Sequence, residues 1–146
     1  MSRHRLCRAF AILAICASLP LHAQANQPEV LNRCISTLTT AGAIFVRTPL
    51  PTTHVLAVSK HVDLAFRYLQ GAEALARLLP QTAKNPFVMD EAVLATSPES
   101  VSKIDQRIAD CEKWAKQVHE NFSSNIRSEI YESTLGRMKR LSSVKY

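Results

Sequence analysis

Glycine is scarce: this chain of 146 residues has three, Gly42, Gly71 and Gly136, far apart and each inside a helical pattern. That excludes the loops of nucleotide-binding proteins, which need clustered glycines to bring backbone N–H groups around a phosphate. No serine stands between glycines, so there is no nucleophile elbow. None of the four cysteines has C-x-x-C spacing, which removes the thiol redox motif and the covalent haem motif C-x-x-C-H. No apolar run of the mature part reaches the roughly 20 residues that a membrane span requires. Nor does any stretch sustain the period-two alternation of a half-buried strand, and internal repeats and low-complexity segments are missing.

What is present begins with a leader. Arg3, Arg5 and Arg8 precede an apolar run from Ala9 to Leu19, then Pro20 and the small-residue ending Ala23-Gln24-Ala25. This is the pattern of a secretory signal peptide, so residues 1–25 are expected to be cleaved and residues 26–146 to form one soluble domain. Its form is bacterial, which puts the mature chain in the periplasm or outside the cell. Lipidation at Cys16 would need a small residue before it, but Ile15 stands there and the apolar run continues, so Cys7 and Cys16 leave with the leader. Three of the 18 Lys and Arg leave too, and the excess over 12 Asp and Glu falls from six to three. An excess of that size suits ordinary solvation and does not call for a nucleic acid.

Cys34 and Cys111 remain, in a chain bound for an oxidising compartment, and are expected to form a disulfide. Closing a loop across 77 positions stabilises a fold by about 4 kcal/mol on the chain-entropy model.

Helical spacing dominates the mature part. Pro28 and Glu29 open a first helix, with Leu31, Cys34, Ile35, Leu38, Ala41, Gly42 and Phe45 on its seam and its end at Arg47. Thr48-Pro49-Leu50-Pro51 is a stiff connection. A second helix starts at Thr52 or Thr53, or after Ser59 if the β-branched residues there are extended. It carries Val55, Val58, Val62, Ala65, Leu69, Ala72, Ala76 and Leu79, and Pro80 ends it. Asn85-Pro86 opens a short helix reaching Thr96. Ser97 to Phe122 forms the helix around which the bundle is expected to be built, with Val101, Ile104, Ile108, Cys111, Ala115, Val118 and Phe122 in one stripe and Trp114 beside it. Ile126, Ile130, Thr134, Met138 and Leu141 mark a last helix or a bent continuation. The fold class is all-α, an up-and-down helical bundle of four to five helices with one disulfide.

Chemistry is thinly represented. His54 and His61 share a face of the second helix, and a metal site would need His119 to approach them; the spacing matches no metal signature, so structural histidines are expected. Met89 and Met138 do not make an axial haem pair, and no cofactor is expected. Asp105, Asp110, Glu112 and Glu120 alternate with Lys103, Arg107, Lys113 and Lys116 as a solvated face of i to i+4 ion pairs. Asn121-Phe122-Ser123 matches the glycosylation sequon, which a bacterial host gives no role. The end of the chain is basic, with Arg127, Arg137, Lys139, Arg140 and Lys145 opposite the apolar Ile126, Ile130, Met138 and Leu141. That surface suits an acidic protein partner or an anionic membrane, or a solvated cover over the protein's own bundle.

The expected function is therefore non-catalytic protein binding by an exported domain, as in an inhibitor, an immunity protein or a chaperone-type adaptor. The alternatives are a periplasmic carrier of a small ligand or metal, and a membrane-surface protein attached by its basic last helix. A seam unused within one chain would make a homodimer.

Overall fold

The structure, a computed structural model, describes residues 27–47, 55–80, 85–94 and 98–143. The expected signal peptide and its cleavage point, the Thr48–Pro51 connection, the second helix's cap, His54 and Lys145 lie outside them. Contacts divide the chain into Met1–Val30 and Leu31–Tyr146; of the first, only the exposed opening turn of α1 is described. The elements are α1 (Gln27–Arg47), α2 (Val55–Ala76), α3 (Glu91–Leu94), α4 (Pro98–Asn121) and α5 (Ser124–Ser143). Among the described residues there is no strand, and no helix is long and apolar enough to cross a membrane. The all-α fold class is correct. Val55 is already helical, so the extended reading of residues 55–58 is not followed.

The centre of the fold is α1, not the α4 stripe expected to organise it. From Cys34 to Ala43 every residue is buried except the half-buried Ser36. Among the residues of α4 whose burial is described, Cys111 and Ala115 are the buried ones, while Trp114 is partly covered beside the core. Leu31, Cys34, Ile35 and Leu38 of α1 meet Ala72 and Leu75 of α2 and Cys111 and Ala115 of α4. Ile35, Leu38, Leu69, Leu75 and Ile130 have no exposed surface, and burying each such side chain contributes about 1.5–3 kcal/mol. Cys34 and Cys111 are bonded, with their Cα atoms 5.3 Å apart.

Pairings give the directions. Phe45 meets His61 at 4.8 Å between ring centroids, Gly42 faces Leu69 and Leu38 faces Gly71, so α1 and α2 run antiparallel. Arg67 pairs with Glu112 and Gly71 faces Ala115, so α2 and α4 run parallel. The alternation of an up-and-down bundle is broken there. The connection between them makes this necessary: Ser36 reaches Val88, Thr40 reaches Asp90, and Ala41 and Ile44 flank Val93, so residues 88–93 return along α1. A chain that has returned starts its next helix at the end where α2 started.

The short helix expected from Asn85 to Thr96 is instead an extended strap, with helix only at Glu91–Leu94 within residues 85–94. Its backbone bonds go elsewhere. The Phe87 N–H donates to Asn85 Oδ1 at 3.1 Å, Val88 C=O accepts from Ser36 Oγ at 2.6 Å, and the Asp90 N–H donates to Thr40 Oγ1 at 2.7 Å. With these groups satisfied by side chains, helix offers the segment little. Ser123 C=O accepts from the Arg127 N–H at 3.0 Å, starting α5 as a new helix rather than a continuation of α4.

α5 lies across α2. Arg77 pairs with Glu129 at 2.9 Å, whereas Tyr131, two residues later, meets Phe66 at 5.3 Å. On α2 those positions are about 16 Å apart along the axis, more than parallel or antiparallel helices would allow for one half-turn of α5.

Two glycines test the packing. A Cβ on Gly42 would lie 2.5 Å from Leu69 Cγ, in a place where Leu69 has no room to retreat. A Cβ on Gly136 would find only the Arg140 side chain, at 3.5 Å. Gly42→Ala is expected to destabilise by about 1–3 kcal/mol through overpacking, and Gly136→Ala to stabilise by about 0.5–1 kcal/mol through helix propensity, both measured by chemical denaturation.

Candidate functional site

Three of the charged residues marked by the sequence, Arg107, Glu112 and Arg137, are held in cross-element pairs. Arg107, expected on a solvated face, donates from Nη2 to Asp90 Oδ2 at 2.8 Å, and Thr37 Oγ1 donates to the same oxygen at 3.1 Å. Glu112 binds Arg67 of α2 through Nε at 2.9 Å and through Nη2. That hydrogen bond, ahead of the opposing effect of burial, raises the Arg67 pKa. Lys116 and Glu120, 4.0 Å apart, follow the expected i to i+4 pattern.

At the basic end, Arg137 is not a free surface cation. Its Nε donates to Glu73 Oε1 at 2.7 Å, Nη2 lies 2.6 Å from the same oxygen, and its guanidinium sits 3.4 Å above the Phe87 ring. Arg127, Lys139 and Arg140 are exposed. The apolar side of α5 faces inward, with Ile130 and Thr134 fully buried and Ile126, Met138 and Leu141 half-buried. Thr134 satisfies its hydroxyl on Ile130 C=O at 2.7 Å.

The histidines part company. His61 rests edge-on against Phe45 at the α1 interface, while His119 lines a groove of about 500 Å³ between α2 and α4, with Arg67, Gln70 and Lys116. Among the described residues no three His, Cys, Asp or Glu side chains are grouped to hold a metal. The Nε2 atoms of both histidines are buried without a hydrogen-bond partner. Burial, and then the charge of Arg127, lowers the His119 pKa below the ordinary 6.5. Burial also raises the Tyr68 pKa. A second cleft of about 490 Å³ lies where the C-terminal end of α2 meets the strap and the α4–α5 turn, walled by Leu79, Pro86, Phe87 and Phe122. Among the described residues, no serine, threonine or cysteine lines either cavity.

What the sequence left unmarked is an apolar corner. Because α5 crosses α2 beyond Phe66, the seam residues Val58 and Val62 stay uncovered, 38% and 48% exposed. On α5, Tyr131 is 47% and Leu135 40% exposed, and the Tyr131 ring touches Phe66. Each pair is spaced one turn apart, so two apolar ridges meet at Phe66. Asp63 is exposed on the α2 side and Arg127 on the α5 side. The signal lay in the sequence as Val58 and Val62 on a seam, but the sequence alone leaves open whether that seam is used within one chain. The chain matches no protein-family model, no curated protein and no solved structure.

Two outcomes check the electrostatics. Arg137→Met leaves the buried Glu73 without its cation and is expected to cost about 3 kcal/mol in denaturation, with Glu73→Met in the same chain recovering most of it. His119 binds its proton more weakly folded than unfolded, so the unfolded state takes up more protons and stability falls as pH drops through 6.5. Thermal unfolding of His119→Gln from pH 7.5 to 5.5 is expected to lose that part of the slope.

Proposed function

We propose that the protein is an exported, non-catalytic binding protein of the periplasm that holds a protein partner in the corner between α2 and α5. The observation that carries this is the corner itself: Val58, Val62, Tyr131 and Leu135 are large apolar side chains left open on two adjoining helices. Contiguous exposed apolar surface, bordered by charge, is what protein interfaces use. Among the described residues of the packed unit, the other exposed large apolar side chains are Leu78 and Val88, in the return connection. Export is supported by the leader pattern and by the bonded cysteines, which persist in oxidising compartments. A rigid frame suits binding, because a surface already ordered loses little entropy when a partner docks.

A photo-crosslinking residue at Tyr131, with a second variant carrying it at Lys113, exposed on α4, tests the reading in the source organism's envelope. Tyr131 is expected to give one discrete adduct that the Lys113 position does not. No adduct at Tyr131, or the same adducts at both positions, would remove the corner as the binding surface.

A further inference from the structure

We propose that the cleft between the end of α2, the strap and the α4–α5 turn binds a neutral aromatic molecule, indole-like in size, that donates one N–H or O–H hydrogen bond to Glu73 Oε2. The site shares no residue with the α2–α5 corner and takes a small molecule rather than a protein.

The first argument is a buried carboxylate with an oxygen to spare. Glu73 is 6% exposed and lines the cleft. Arg137 brings both of its contacts, Nε at 2.7 Å and Nη2 at 2.6 Å, to Oε1. Among the described residues none donates to Oε2, and that atom is not sealed from solvent. An ionised carboxylate accepts at both oxygens, and a polar atom so deep in a fold takes its donor from protein, water or ligand. A donor for Oε2 therefore comes through the cleft.

The second argument is the walls. Phe87, Phe122, Leu79, Pro80 and Pro86 surround the space, which measures about 490 Å³. Leu79 and Phe87 also pack against the core, and each proline has a fixed φ, so these walls are ordered before anything binds. Apolar and aromatic walls around one placed polar group, in a space of about 300–1,000 Å³, are the make-up of a small-molecule site. Two phenyl rings favour an aromatic ligand, which they meet by stacking or edge to face.

The third argument sets the charge. Glu73 and Arg77, the charged members of the lining, are both paired already, Glu73 with Arg137 and Arg77 with Glu129 at 2.9 Å. A cationic ligand would compete with the Arg137 guanidinium, which sits 3.4 Å above the Phe87 ring. An anionic one would bring its charge towards Glu73. A neutral donor meets neither cost.

Titration of indole into the ¹⁵N-labelled exported protein, disulfide intact, is the test. A ligand of this size is expected to bind with a dissociation constant of about 0.1–1 mM and to shift the Phe87 and Phe122 amide signals. 3-Methylindole, which keeps the N–H, binds within about twofold of indole. 1-Methylindole has the same size and no donor, and binds weaker by about fivefold or more. Phe122→Ala weakens indole by a similar factor, and Val62→Ala, in the corner, leaves it unchanged. No binding by about 10 mM indole overturns the proposal, and so does equal affinity for the two methylindoles. Binding that Val62→Ala reduces and Phe122→Ala does not would place the ligand in the corner and overturn the cleft. Tighter binding of tryptamine than of indole would overturn the neutral class. The methylindole comparison needs no variant, so it decides even where Phe122→Ala alters the fold.

Discussion

A helix buried on almost every side offers few partners to the polar side chains it carries, and α1 carries Ser36, Thr37, Thr39 and Thr40 within its covered stretch, with Thr39 Oγ1 left without a hydrogen bond. An apolar neighbour would strip Ser36 and Thr37 of the partners they have here, at a cost of about 1–3 kcal/mol each. The strap is the answer for three of them. Ser36 donates to Val88 C=O, Thr37 to the Asp90 carboxylate, and Thr40 both donates to Ser36 C=O and accepts from the Asp90 N–H. Arg107 then neutralises Asp90 from α4. An extended segment does this better than a helix, because its own N–H and C=O groups are still unpaired.

The chain's direction follows from that choice. A strap that runs beside α1 delivers the chain to the end where α4 can start, parallel to α2 and antiparallel to α1. Cys111 then comes level with Cys34, and Ala115 faces Gly71. Gly71 is where three helices converge, since a Cβ there would stand 3.0 Å from Ala115 Cβ and 3.1 Å from Leu38 Cδ1. The disulfide ties α1 to α4 beside that junction, so the entropy it removes from the unfolded chain favours the arrangement the strap makes possible.

The parts legible in the sequence were those set by local periodicity. Leu31, Cys34, Ile35 and Leu38 read as one seam and are one; the bounds of α1, α4 and α5 came close; the cysteine pairing followed from count and from the compartment the leader pattern led us to expect. The strap was not legible, because Asn85-Pro86 has the form of a helix start and the groups that hold residues 85–90 extended come from α1, about fifty positions away. For the same reason Arg107 read as a surface charge and Arg137 as part of a basic face. A side chain's sign is local information, and its partner is not. The Ser and Thr residues between the seam positions of α1 were the available clue, since hydroxyls on three sides of a helix need more than water when both neighbours are apolar.

The corner between α2 and α5 has the same origin. Had α5 run along α2, its apolar face would have covered Val58 and Val62, and the period of the sequence alone gives no reason for it to do otherwise. Two ion pairs hold it across instead: Glu73 to Arg137, largely buried under Phe87, and Arg77 to Glu129 at the surface. The buried one decides, since the exposed pair is worth less than about 1 kcal/mol while a buried carboxylate stripped of its cation costs several. Glu73 needs Arg137 near the far end of the contact, and Tyr131 meets Phe66 on the other flank, so both sides of α5 face along α2 at once. The crossing that keeps Glu73 paired is the crossing that leaves Val58 and Val62 open. A buried charge pair inside the fold and open apolar surface outside it thus belong to the same crossing.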